Sequence, residues 1–91
     1  LKIYTWLQQN APSFGFCQPY TAHDSIRPTG YQEEKWHWSY LPVAQPLTKQ
    51  AEYHLSDDMI NGFLGAETAD SIHVVLNYVL GVNPQCKQLP E

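Results

Sequence analysis

Glu34 and His37 are the residues of this sequence best suited to chemistry. They lie in GYQEEKWHWSY, residues 30–40, where Glu33 and Glu34 precede His37 and a tryptophan flanks the histidine on each side. A neutral imidazole ligates a metal ion, and a carboxylate near a metal-bound water can take its proton. Glu-x-x-His supplies both groups from one segment. On an extended strand, positions 34 and 37 point to opposite faces. A turn or bulge at Lys35 is therefore required to bring both toward one pocket. Trp36 and Trp38 would then wall the site, exclude water and brace the imidazole. One Glu-x-x-His is a weak pattern by itself. A histidine between tryptophans is equally read as a packed or half-exposed strand residue.

The other chemistry-bearing side chains have simpler readings. His23 and Asp24 sit in a turn-rich loop, where Asp supports the local backbone. Arg27 follows in that loop and has the chemistry to pair with a substrate carboxylate, although an exposed loop arginine is the commoner outcome. His54 precedes Asp57 and Asp58 and reads as a helix-end histidine beside an N-cap. His73 reads as a boundary residue of the last helix. Tyr31 and Tyr40 read as strand packing, and Tyr4 and Trp6 as core. Cys17 and Cys86 allow either one disulfide or two buried thiols, with the thiols favoured, and the absence of a Cys-x-x-Cys pair argues against a zinc-finger-type site.

These residues must be positioned by short elements. Ile3, Tyr4, Trp6, Leu7 and Ala11 are spaced for an amphipathic helix over residues 1–11, ended by Pro12. A strand is predicted over 14–17 and a loop over 21–30. A second strand at about 36–41 would pair with the first as a hairpin partner. Pro42 and Pro46 delay a helix to about Val43 or Leu47, ending at His54. Ser56 is expected to cap a short helix carrying Met59, Ile60 and Phe63, with Asp57 and Asp58 in its first turn. A last helix over 66–80 would bury Ile72, Val75, Leu76 and Val79, with Gly81 as its C′ residue and Pro84 beyond.

The chain has 91 residues, 43 % of them hydrophobic, enough for one small α+β domain with one core. Its net charge of −4 and five scattered Lys and Arg residues provide no footprint for nucleic acid. No apolar run approaches the ~20 residues that span a bilayer. No signal-peptide or lipidation pattern occurs within these residues. The helix pattern begins at Leu1 without a cap, so the chain is expected to be a piece of a longer one.

Three stretches together resemble the zinc D-alanyl-D-alanine carboxypeptidases, the VanY-type family of peptidoglycan peptidases. WLQQNAPSFGF (6–16) resembles that family's W-L-x-x-N-A-x-x-F-G-F helix and strand. RPTGYQEEKWHWSY (27–40) contains its E-x-W-H segment. FLGAETADSIHVVLNYVLGVNPQCK (63–87) is similar to the C-terminal helix of one branch. The resemblance implies Glu34 as general base, His37 as one of three zinc ligands and Trp36 as a residue shaping the substrate site, with Glu33 solvated. It implies the C-terminal portion of a hedgehog/D-Ala-D-Ala peptidase-like domain, a peptidoglycan stem peptide as substrate, and a periplasmic, envelope or extracellular address.

The family's other two zinc ligands lie upstream of the W-L-x-x-N-A helix, in an S-x-H-x-x-G-x-A-x-D type segment that this sequence lacks. A catalytic zinc takes three protein ligands and a water, so the chain alone is expected to be inactive. Two other readings stand beside this one. The chain is a non-catalytic module that binds cell-wall peptide or glycan, or it is a structural fragment that self-associates through apolar helix faces.

Overall fold

The computed structural model describes residues 2–87. They form a helix-rich α+β arrangement around one two-stranded antiparallel sheet. Helix α1 spans Lys2–Asn10. Tyr4, Leu7 and Ala11, at i, i+3 and i+7, turn inward, with Ala11 buried. Trp6 is 55 % exposed, so it is not the core residue expected. Pro12 does end the α-helix, and a 3-10 turn over Ala11–Phe14 follows. Asn10 Nδ2 donates to the Trp6 carbonyl at 2.9 Å, and the Gly15 N–H donates to Pro12 O at 3.0 Å. Gly15 takes φ 87°, a conformation open to glycine, which turns the chain into β1.

Strand β1 is Phe16–Cys17 and β2 is Ser39–Tyr40, with Phe16 opposite Tyr40 and Cys17 opposite Ser39. The predicted partners do pair, but over two residues each. Helix α2 then runs Leu41–His54, starting earlier than the prolines suggested. Pro42 lies in the first turn, where no intrahelical N–H bond is lost. Pro46 lies one turn on and removes a bond only near the start.

The C-terminal half departs most from expectation. Ser56 makes no capping hydrogen bond, and only a 3-10 turn over Asp57–Met59 forms. The predicted 66–80 helix is split. Helix α3 covers Thr68–Ser71, and a π-helical turn covers Val75–Val79. His73 between them has φ 49°, a left-handed conformation that histidine tolerates better than β-branched residues do. Asp57 Oδ1 accepts the Val75 N–H at 2.9 Å, satisfying the second segment from outside the helix. Of the predicted stripe only Val75 is buried, while Ile72, Leu76 and Val79 are exposed. Gly81 is required for a different reason from a C′ turn. A Cβ there would collide with the Asn77 carbonyl and lie 3.2 Å from Gly30 Cα.

Cys17 and Cys86 form a disulfide, with Cα atoms 5.5 Å apart, in place of the buried thiols favoured from sequence. It ties the 3-10 turn Pro84–Lys87 to β1. The Asn83 N–H donates to Pro19 O at 2.8 Å beside it. Among the described residues the buried hydrophobic side chains are few, namely Ala11, Leu41, Ala69, Val75 and Cys86, and Gln18, Arg27 and Gln45 are buried with them. No helix among the described residues is long and apolar enough to cross a membrane.

Candidate active site

The chain between Cys17 and Ser39 is held by hydrogen bonds rather than by regular structure. The Glu34 N–H donates to the Tyr20 carbonyl at 2.8 Å, and the His37 N–H donates to the Glu34 carbonyl at 3.3 Å. Lys35 and Trp36 are thus the central residues of a turn. The turn overrides the alternation of a strand and brings residues 34 and 37 to one side. Glu34 Oε1 and His37 Nδ1 are 3.0 Å apart, with both side chains partly open to solvent.

The walls of the pair are not the predicted ones. Trp36 is 76 % exposed and lies against α1, lining a shallow apolar groove of about 220 Å³ with Ile3, Tyr4, Leu7 and Lys35. Trp38 packs on Tyr4 at 6.4 Å between ring centroids and donates its indole N–H to the Lys35 carbonyl at 2.9 Å. Trp38 therefore clamps the turn to α1. The ring beside His37 is Tyr20, edge-on at 5.2 Å with the planes at 81°. Tyr31 packs edge-on against the same Tyr20 ring, and Tyr78 against Tyr31, each at 5.4 Å. Burial, with Tyr31 and Glu34 close by, pushes the Tyr20 phenol above its ordinary range. No sequence signal marks Tyr20, because its role depends on a turn fourteen residues later. A cleft of about 490 Å³ opens beside Phe16, Gln18, Trp38, Leu41 and Asn83, but neither Glu34 nor His37 lines it.

Arg27 is not on the surface. It is 2 % exposed, and its guanidinium donates to the carbonyls of Thr21, Thr29 and Gly81. The charge is satisfied internally by the loop it holds, and no donor is directed outward to a substrate carboxylate. Asp24 behaves as read from sequence. Its Oδ1 accepts the N–H groups of Ile26 and Arg27, both at 2.8 Å. Those two bonds, Arg27's first, hold its carboxyl below the usual value. His23 Nε2 lies 3.0 Å from the Tyr31 carbonyl, and His73 Nδ1 lies 3.8 Å from Asp57 Oδ2.

A catalytic zinc site needs three protein ligands and an open position. Among the described residues no group of three His, Cys, Asp or Glu side chains converges. His37 with Glu34 is therefore an incomplete set for zinc.

Comparison with known families places this pair in a recognised sequence context. Residues 1–43 match the D-alanyl-D-alanine carboxypeptidase family, VanY. The VanY match contains α1, both strands and the Glu34–His37 turn, and it stops at the start of α2. The VanY-type resemblance of W-L-x-x-N-A, F-G-F and E-x-W-H thus holds over this partial stretch. No curated protein and no solved structure matches the chain significantly.

Proposed function

We propose that this chain is the C-terminal part of a zinc D-Ala-D-Ala carboxypeptidase of VanY type, acting on peptidoglycan stem peptides. The observation that carries the reading is the 3.0 Å contact of Glu34 Oε1 with His37 Nδ1, inside the stretch that matches VanY. With Nδ1–H donated to the carboxylate, Nε2 keeps the lone pair that a ligand nitrogen needs. Zinc, when bound, would supply Lewis acidity and an acidified water, with further ligands from outside the described residues. Glu34 takes up the proton of the attacking water through its second oxygen and returns it to the leaving amine. Trp36 offers an exposed apolar surface for the substrate beside the turn.

The fold in this reading is the C-terminal portion of a hedgehog/D-Ala-D-Ala peptidase-like domain. The Cys17–Cys86 disulfide supports a periplasmic, envelope or extracellular location, since such bonds persist in oxidising compartments.

Zinc titration calorimetry on the chain, with His37→Ala as control, tests the incomplete set. Binding that is absent or unchanged by the substitution is expected. Tight one-to-one binding abolished by His37→Ala would make the chain itself a complete metal site. In the longer protein, His37→Ala should lose metal, whereas Glu34→Ala should keep metal and stop D-alanine release from a stem peptide. Activity persisting in both variants would rule the assignment out.

A second reading rests on exposed apolar side chains. Ile3, Trp6, Phe14, Trp36 and Leu47 are each more than half exposed, which favours self-association of the chain. Light scattering across a dilution series separates the two, because a mass that stays at one chain leaves the second reading without support.

A further inference from the structure

Tyr20 is the residue through which both members of the Glu34–His37 pair are tied to the rest of the chain. Its carbonyl accepts the Glu34 N–H at 2.8 Å. The same carbonyl accepts Gln18 Nε2 at 3.0 Å, and that amide nitrogen also reaches the Glu34 carbonyl at 3.3 Å. Gln18 is 6 % exposed, and its other amide atom accepts the Tyr4 hydroxyl at 2.7 Å. The main chain at residues 18–20 is thus a fixed platform under Glu34. The Tyr20 ring meets the other member, standing edge-on to the imidazole at 5.2 Å. The Arg27 guanidinium lies 5.7 Å from the Tyr20 ring, and the Tyr31 ring packs against it at 5.4 Å.

We propose that Tyr20 is the positioning residue of the Glu34–His37 pair: its ring holds the imidazole in the rotamer that keeps Nδ1 on Glu34. The phenol hydroxyl is not required, because the contact is one between the two rings. The brace is needed because His37 is not held by depth of burial. Its side chain is 43 % exposed, and a lone hydrogen bond to a partly solvated carboxylate competes with water. The consequence for chemistry rests on the reading of Glu34 as base and His37 as ligand, but the geometry does not.

The test is carried out on the chain without metal or substrate, so that failure of the peptidase reading leaves it intact. Nitrogen-15 and carbon-13 NMR, at a pH where the His37 ring resonances no longer move with pH, reads the tautomer of the neutral imidazole. The native chain should show a Tyr20–His37 ring NOE and one tautomer, protonated at Nδ1. Tyr20→Phe should retain both the ring NOE and the tautomer. Tyr20→Leu should give mixed tautomers and about tenfold faster exchange of the Glu34 amide, with α2 amides unchanged. A missing NOE in the native chain would overturn the proposal, as would a Tyr20→Phe variant with mixed tautomers or a Tyr20→Leu variant with native ones. Should Tyr20→Leu fail to fold, the native NOE and Tyr20→Phe still decide.

Discussion

Arg27 Nη1 donates to the carbonyl of Gly81 at 3.3 Å, across 54 residues of sequence. This bond joins the loop that leads into the Glu34–His37 turn to the end of the C-terminal segment. Among the described residues Arg27 is also the largest fully buried side chain. A buried guanidinium is tolerated only when carbonyls or carboxylates replace its water, and here three backbone carbonyls do so.

Arg27→Met should therefore destabilise the chain by about 2–4 kcal/mol, because the carbonyls of Thr21, Thr29 and Gly81 lose a charged donor. The shift of the urea unfolding midpoint measures this. An unchanged midpoint would show that the carbonyls are satisfied by water at no cost.

The disulfide closes a separation of 69 residues. Chain-entropy reasoning assigns such a crosslink about 4 kcal/mol. Reduction, or Cys17→Ser with Cys86→Ser, should lower the melting temperature by more than about 15 °C. Calorimetry with and without reductant checks it, and the double variant should then be insensitive to reductant.

Gly30 and Gly81 pack main chain to main chain. Gly30 has φ 91°, and a Cβ there would sit 3.1 Å from the Asn77 carbonyl and closer still to that of Gly81. Gly30→Ala and Gly81→Ala should each cost about 1–3 kcal/mol. Gly62→Ala provides the contrast. It too has positive φ, but a Cβ there meets nothing within 4 Å, so only the conformational part of about 1 kcal/mol remains.

Asp24 has its carboxyl held below the ordinary 3.8 by the Arg27 and Ile26 N–H groups. A depressed folded value means that this contribution is present above pH 3.8 and is lost as pH falls through the lower folded value. Asp24→Asn keeps an oxygen acceptor and removes the titration. The variant's urea midpoint should fall less than that of the native chain below about pH 4. Parallel curves would show that Asp24 does not contribute to acid sensitivity.

Trp36→Ala should change stability by less than about 0.5 kcal/mol, as expected for a residue that is 76 % exposed. A larger loss of melting temperature would assign Trp36 to the packing of α1 and weaken its candidacy for a substrate surface.

Local patterns in the sequence were sufficient for α1 and its stop at Pro12, for the Asp24 turn and for the need of a turn at Lys35. Each depends on residues close in the chain, whose preferences for caps, turns and alternation act over a few positions. The Glu-x-x-His pair was legible for the same reason: its members are three residues apart, and one turn joins them. Tertiary contacts decided the rest. Tyr20 replaces the tryptophans beside His37 because Tyr20 O captures the Glu34 N–H. The last helix breaks because Asp57 satisfies the Val75 N–H from eighteen residues away. Arg27 is buried because Gly81 arrives with a carbonyl, and Cys17 meets Cys86 because Asn83 binds Pro19 beside them. Sequence periodicity carries no record of such partners, since a hydrogen bond or disulfide between residues as far apart as Tyr20 and Glu34, Asp57 and Val75, or Cys17 and Cys86 depends on where the chain returns.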